Sequence, residues 1–222
     1  MYNSKKIKGM EKKTMKKLKR IFTLILTTVM TTMLLASCGL GKTKATPEES
    51  AKYFLDMVLK GDKSNIDKIG FKEEDYTELK TNLEDSLIEG FESAGVSSDI
   101  LTDEIKNTLK NNMVVGFSKV EYEVGASSID KKVATVEVKI KGFDMNKIAD
   151  QAKTKTEDNY NESMTEQQFY QENYKFVGEG FANGVLVEQP KTLTIKLNKV
   201  KQYWIPDESS SKLLMESLVV VP

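Results

Sequence analysis

Hydrophobic positions change their spacing several times along the chain, and each change predicts a different element. Ile21 to Ala36 is an apolar run without charge, broken only by small and hydroxyl residues. From Thr46 onward apolar residues recur at steps of three and four, the period of a helix with one buried face. Thr46-Pro47-Glu48-Glu49 predicts the helix start: Thr46 caps, Pro47 suits the first position, and Glu49 stands where a capping box needs it. Ala51, Phe54, Leu55, Val58 and Leu59 share one face, and Lys60-Gly61 ends the helix with a cation and a glycine stop. A short helical turn over Ser64–Ile69 breaks at Gly70. Tyr76, Leu79, Leu83, Leu87 and Phe91 predict an amphipathic helix over Glu73–Ser93. Leu101, Ile105 and Leu109 predict another over Thr102–Asn111.

At Met113 the period drops to two. Val120, Tyr122 and Val124 alternate with Lys119, Glu121 and Glu123, which predicts a strand. Gly125–Asp130 reads as a turn. Lys132–Lys141 alternates again, with Ala134, Val136, Val138 and Ile140 on one face, so the pair predicts an antiparallel hairpin with one wet side. Residues 144–188 then interrupt the sheet. Asp144–Ala152 reads as helical and Lys153–Ser163 as a polar loop. Thr165-Glu166-Gln167-Gln168 is a second capping box, followed by Tyr170, Tyr174, Val177, Phe181 and Val185 on one helical face. Gly178, Gly180 and Gly184 weaken that helix by about 1 kcal/mol each against alanine. Either close packing on a neighbour or a mobile segment would account for them. Beyond Pro190, Lys191–Val200 is a strand with Leu193, Ile195 and Leu197 facing one way. Lys201–Ile205 predicts a further strand carrying Trp204 and stopped by Pro206, and Ser209–Leu218 a closing helix. Val219–Pro222 is apolar and is expected to pack back on the sheet. The whole predicts one α+β domain over 46–222: helices first, then a mostly antiparallel sheet of about four strands with a helical insertion.

Charge separates the N-terminal stretch from the rest. The chain has 33 basic and 33 acidic residues, but nine of the former and only Glu11 of the latter precede residue 38. From Cys38 onward the chain is therefore acidic by eight charges, which favours solubility and disfavours nucleic acid as a partner. A basic head, an apolar run shorter than the roughly 20 residues of a membrane span, and small residues together read as a secretory signal over 1–37. Met10 and Met15 are alternative starts. Leu35-Ala36-Ser37-Cys38 resembles the bacterial lipobox. That resemblance implies cleavage before Cys38, a diacylglyceryl group on its sulfur, and anchoring to the extracytoplasmic face of the cell membrane. Residues 38–45 would then be a short tether, with Lys42 and Lys44 near the headgroups.

Cys38 is the one cysteine, Arg20 the one arginine, and histidine is absent. A mature chain from Cys38 would therefore lack Ser–His and Cys–His nucleophile systems, zinc sites of thiolate and imidazole, and forked phosphate recognition. Asp158–Glu162 lacks the ligand spacing of a calcium loop. The charged face of Glu78, Lys80, Glu84, Asp85 and Glu89 reads as solvated rather than as a cation site. No cofactor or metal is implied.

The lipobox, the tether, the Thr46–Leu55 helix running into Lys60-Gly61-Asp62, and the late Trp204 followed by Asp207 and Glu208 resemble a known group. These features are similar to uncharacterised families of small Gram-positive lipoproteins with a cystatin-like, or nuclear-transport-factor-two-like, domain. The resemblance implies a curved sheet wrapped on a long helix and carries over no catalytic residues. The missing catalytic residue types and the short tether point to a non-catalytic module that binds a peptide, a small ligand or another envelope protein near the membrane. The competing expectation is an enzyme that uses a pocket carboxylate and a tyrosine, with Glu121, Tyr122, Glu123 and Glu137 as local candidates. The three glutamates alternate with apolar residues and are expected to face water, where a carboxylate makes a poor base. A sensor or chaperone role at the envelope is a third expectation.

Overall fold

The computed structural model describes residues 43–220. Lys44 donates its backbone N–H to the Gln202 carbonyl at 3.0 Å, which ties the domain's first residues to the far end of the sheet. Helix α1, Pro47–Leu55, starts with the expected capping box: Thr46 accepts from Glu49 N–H at 3.2 Å and Glu49 accepts from Thr46 N–H at 2.8 Å. It continues without a break into a π turn, Asp56–Lys60, closed by the Gly61 N–H on the Asp56 carbonyl. Gly61 takes φ of 64°, the left-handed geometry that favours glycine. A 3-10 turn over Ile66–Ile69 leads to α2, Glu73–Ser93, and then to α3, Asp103–Phe117.

Four strands form an open sheet in the order β1-β2-β4-β5: β1 Glu121–Asp130, β2 Val133–Lys141, β4 Lys191–Val200 and β5 Tyr203–Pro206, every neighbour antiparallel. Ala134, Val136, Val138, Ile140, Leu193, Ile195 and Leu197 are buried on one face, while Glu137, Lys139, Thr192, Thr194 and Lys196 are exposed on the other. The α1 helix crosses this buried face, and α6, Glu208–Leu218, packs on β2 and β4. The expected α+β architecture is therefore present, with α4, Met145–Asp158, and α5, Glu166–Ala182, as the helical insertion between β2 and β4. Those two helices pack on each other, and α5 also packs along α3.

Several boundaries differ from expectation for identifiable reasons. Helix α3 runs on to Phe117 because Met113 and Phe117 extend the buried stripe of Ile105 and Leu109; the apparent change of period at Met113 comes from Val114 and Val115, which lie off that stripe. Gly125–Asp130 is strand, not turn. A bulge between Val124 and Ser127 absorbs the irregularity at Gly125, and the hairpin closes instead at Lys131-Lys132, with Lys131 at φ of 56°. Lys153–Ser163 is helical as far as Asp158, since Thr156 is buried and continues the steps of Ile148 and Ala152. Its hydroxyl donates to the Ala152 carbonyl and accepts from Asn173, so the polar side chain is satisfied. Contrary to expectation, the apolar tail does not join the four-stranded sheet: Val219–Val220 (β6) pairs in parallel with Phe143–Asp144 (β3) in a separate two-stranded sheet, because β3 leaves the end of β2 with its own edge free.

Candidate functional site

Where α1 gives way to the π turn, the molecule opens an apolar groove. Met57, Val58 and Leu59 of the turn form one wall, Tyr76, Leu79 and Leu83 of α2 a second, and Met113, Val115 and Phe117 of α3 a third. The enclosed volume is about 430 Å³, within the usual range of ligand sites of roughly 300–1,000 Å³. Met57, Leu59, Leu79 and Met113 are at most 3% exposed, so the floor belongs to the core. Val114 and Val115 are 37% and 48% exposed at the mouth. Gly61 brings the chain close to α2: a Cβ there would stand 3.1 Å from the Tyr76 hydroxyl.

Three lysines and one glutamate ring the groove. Lys80 lies 3.7 Å from Glu84 on its own helix, and Lys110 of α3 is 2.7 Å from Asp85. Lys60 is bound differently. Its ammonium donates to the carbonyls of Ser118 at 2.8 Å and Val120 at 2.7 Å, just beyond the end of α3, and lies over the Tyr122 ring. Sequence pattern assigns Lys60 to the end of its own helix; in three dimensions it serves the end of another. Burial pulls this ammonium below the ordinary lysine range, with Asp56 and Glu121 opposing the shift from further away.

Behind the π turn, Asp56 accepts from the Tyr122 hydroxyl and from Lys52 at 2.5 Å. Burial and then the bond to Asp56 push the Tyr122 phenol well above the usual tyrosine range, so it stays protonated. This is a carboxylate–tyrosine pair, but its polar atoms are engaged with each other and with Lys52. Its evident effect is to pin the π turn to β1. The glutamates considered for a pocket lie elsewhere: Glu121, Glu123 and Glu137 are exposed, the first pairing with Lys141 at 2.7 Å and the second with Lys139 at 3.8 Å. Leu35, Ala36, Ser37 and Cys38 lie outside the described residues. Among the described residues no group of three or more metal-ligating side chains converges, and no helix is long and apolar enough to cross a membrane.

A family model described as a domain of unknown function, DUF5105, matches residues 40–219. The chain belongs to the DUF5105 family. Its fold is also similar to that of a candidate lipoprotein, ycdA, from Bacillus subtilis subsp. subtilis strain 168, with a TM-score of 0.64 and 21% sequence identity. The likeness covers 81% of this chain and 57% of that one, so it spans less than two thirds of the Bacillus protein. No curated protein matches the chain. The family and the neighbour bear on the fold; neither assigns a residue of the groove.

Proposed function

We propose that this DUF5105 protein is an extracytoplasmic lipoprotein whose domain is a non-catalytic binding module working through the groove between the π turn, α2 and α3. Residues 1–37 direct export and are removed, Cys38 takes the diacylglyceryl anchor, residues 38–45 form the tether, and residues 46–222 form one cystatin-like domain. The lipobox carries the anchoring half of this reading. Support comes from the family match, which begins at residue 40, just past Cys38, and from the likeness to a candidate lipoprotein. Two acyl chains hold a protein stably at a bilayer, whereas one holds it only marginally.

The groove carries the binding half. Core residues line its floor, two valines lie open at its mouth, and the neighbouring carboxylate–tyrosine pair is closed on itself. Binding then depends on the exposed mouth and can be read there directly. A photo-crosslinking amino acid in place of Val115 should capture a defined species in intact cells. The same group in place of Ile129, which is 56% exposed at the tip of the β1–β2 hairpin, should capture none of it. The same pattern from both positions, or from neither, would remove the groove from the function.

A further inference from the structure

The chemistry of the groove narrows what it can hold. Its floor of Met57, Leu79, Leu83, Met113 and Phe117 offers a polar ligand nothing to bond with, and burying a polar group without a partner is costly. An unbranched alkyl chain carries no such cost, and the two methionines adapt to a flexible guest. Charge is placed at the rim. Lys80 and Lys110 already have carboxylate partners, whereas Lys60 has none within ion-pair distance among the described residues. An ammonium has three donors, and two of those on Lys60 go to neutral carbonyls. We propose that the groove binds a single-chain anionic amphiphile, a long-chain carboxylate, with its tail between α2 and α3 and its head on Lys60. A carboxylate there would supply the charge-assisted hydrogen bond that the carbonyls cannot. It would also offset the burial that now disfavours the Lys60 charge. This rests on the binding-module reading above, and a tether of a few residues would keep the groove near a membrane source of such lipids.

The test uses the mature protein, residues 38–222, freed of lipid and carrying Cys38→Ser so that no anchor competes. Displacement of cis-parinaric acid fluorescence by hexadecanoate, hexadecanol and octanoate separates head from tail. The expected result is that hexadecanoate displaces about tenfold better than hexadecanol, the difference one charge-assisted bond makes. Octanoate should displace poorly. Lys60→Gln should weaken hexadecanoate to the level of hexadecanol and leave hexadecanol unchanged. Val115→Asn, at an exposed position, should weaken both about fivefold through lost apolar contact. The wild-type ratio of acid to alcohol needs no variant, so it stands even if Lys60→Gln disturbs the end of α3. Equal displacement by acid and alcohol, or parinarate binding indifferent to Val115→Asn, would overturn the proposal. So would a concentration-dependent dimer that Val115→Asn dissolves, since a second copy would then fill the groove. If hexadecanoate fails while the Val115 crosslink persists, only the ligand class falls; if both fail, the binding module falls with it.

Discussion

At the scale of the residue, Tyr122 shows what alternation along a strand can and cannot reveal. Its place between Glu121 and Glu123 predicts correctly that the glutamates face water and the ring faces in. It cannot reveal that the partner is Asp56, because that residue lies 66 positions earlier and points toward β1 from a π turn. Lys60 is similar: its charge at a helix end was legible, its service to Ser118 and Val120 was not. The Tyr122–Asp56 bond has a measurable signature. Tyr122→Phe should cost about 1.5–3 kcal/mol at neutral pH, as expected for the loss of a hydrogen bond to a carboxylate. Because the folded phenol titrates above its ordinary value of 10.0, the stability linked to it is complete below that pH. It fades as the pH rises further, where the unfolded chain gives up the proton first. Tyr174, which burial pushes up to about 12, adds a loss of the same sign in both proteins. Urea midpoints should therefore fall more steeply above pH 10 in the wild type than in Tyr122→Phe. A parallel fall would mean that Tyr122 is not held protonated by the fold.

At the scale of the element, regular pattern carried most of the architecture and irregular geometry was missed. The capping boxes at Thr46 and Thr165, the stripe of α2 and the alternation of β2 and β4 all place their elements correctly. Both tight hairpin turns escaped, since each puts a lysine, Lys131 or Lys201, in a left-handed conformation that a glycine would have advertised. Gly125 advertised a turn and instead lies at a bulge, where a Cβ would press within 3.3 Å of Glu137. Close packing accounts for the glycines of α5: a Cβ at Gly178 would meet Asn112 at 2.9 Å, and one at Gly180 would meet Ile148 at 2.8 Å. The tightest helix contact is Gly116 of α3, where a Cβ would lie 2.4 Å from the Phe181 carbonyl oxygen. Gly116→Ala should therefore destabilise the domain by about 1–3 kcal/mol, the usual cost of overpacking, despite alanine's better helix propensity. Denaturant unfolding reads this directly, and a neutral or stabilising effect would mean that α3 and α5 are less closely apposed than the structure has them.

At the scale of the whole molecule, the groove arises only from the meeting of three elements, so no single stretch announced it. Leu79, Leu83 and Met113 read as ordinary core stripes, which they are over most of their length. The one local hint was Val114-Val115, an apolar pair beside the buried stripe of α3 rather than on it. Lys44 and Tyr203 meet at one end of α1 and the groove opens at the other, so the first helix separates the first described residues from the mouth of the groove. That arrangement has functional meaning only if the chain is held at a membrane through Cys38. Metabolic labelling of expressing cells with a clickable fatty acid tests this most directly. The expected result is a labelled protein with the mass of a chain beginning at Cys38 plus its lipid anchor, and no label at all in Cys38→Ala. Label that persists in Cys38→Ala, or a wild-type protein that is never labelled, would contradict it.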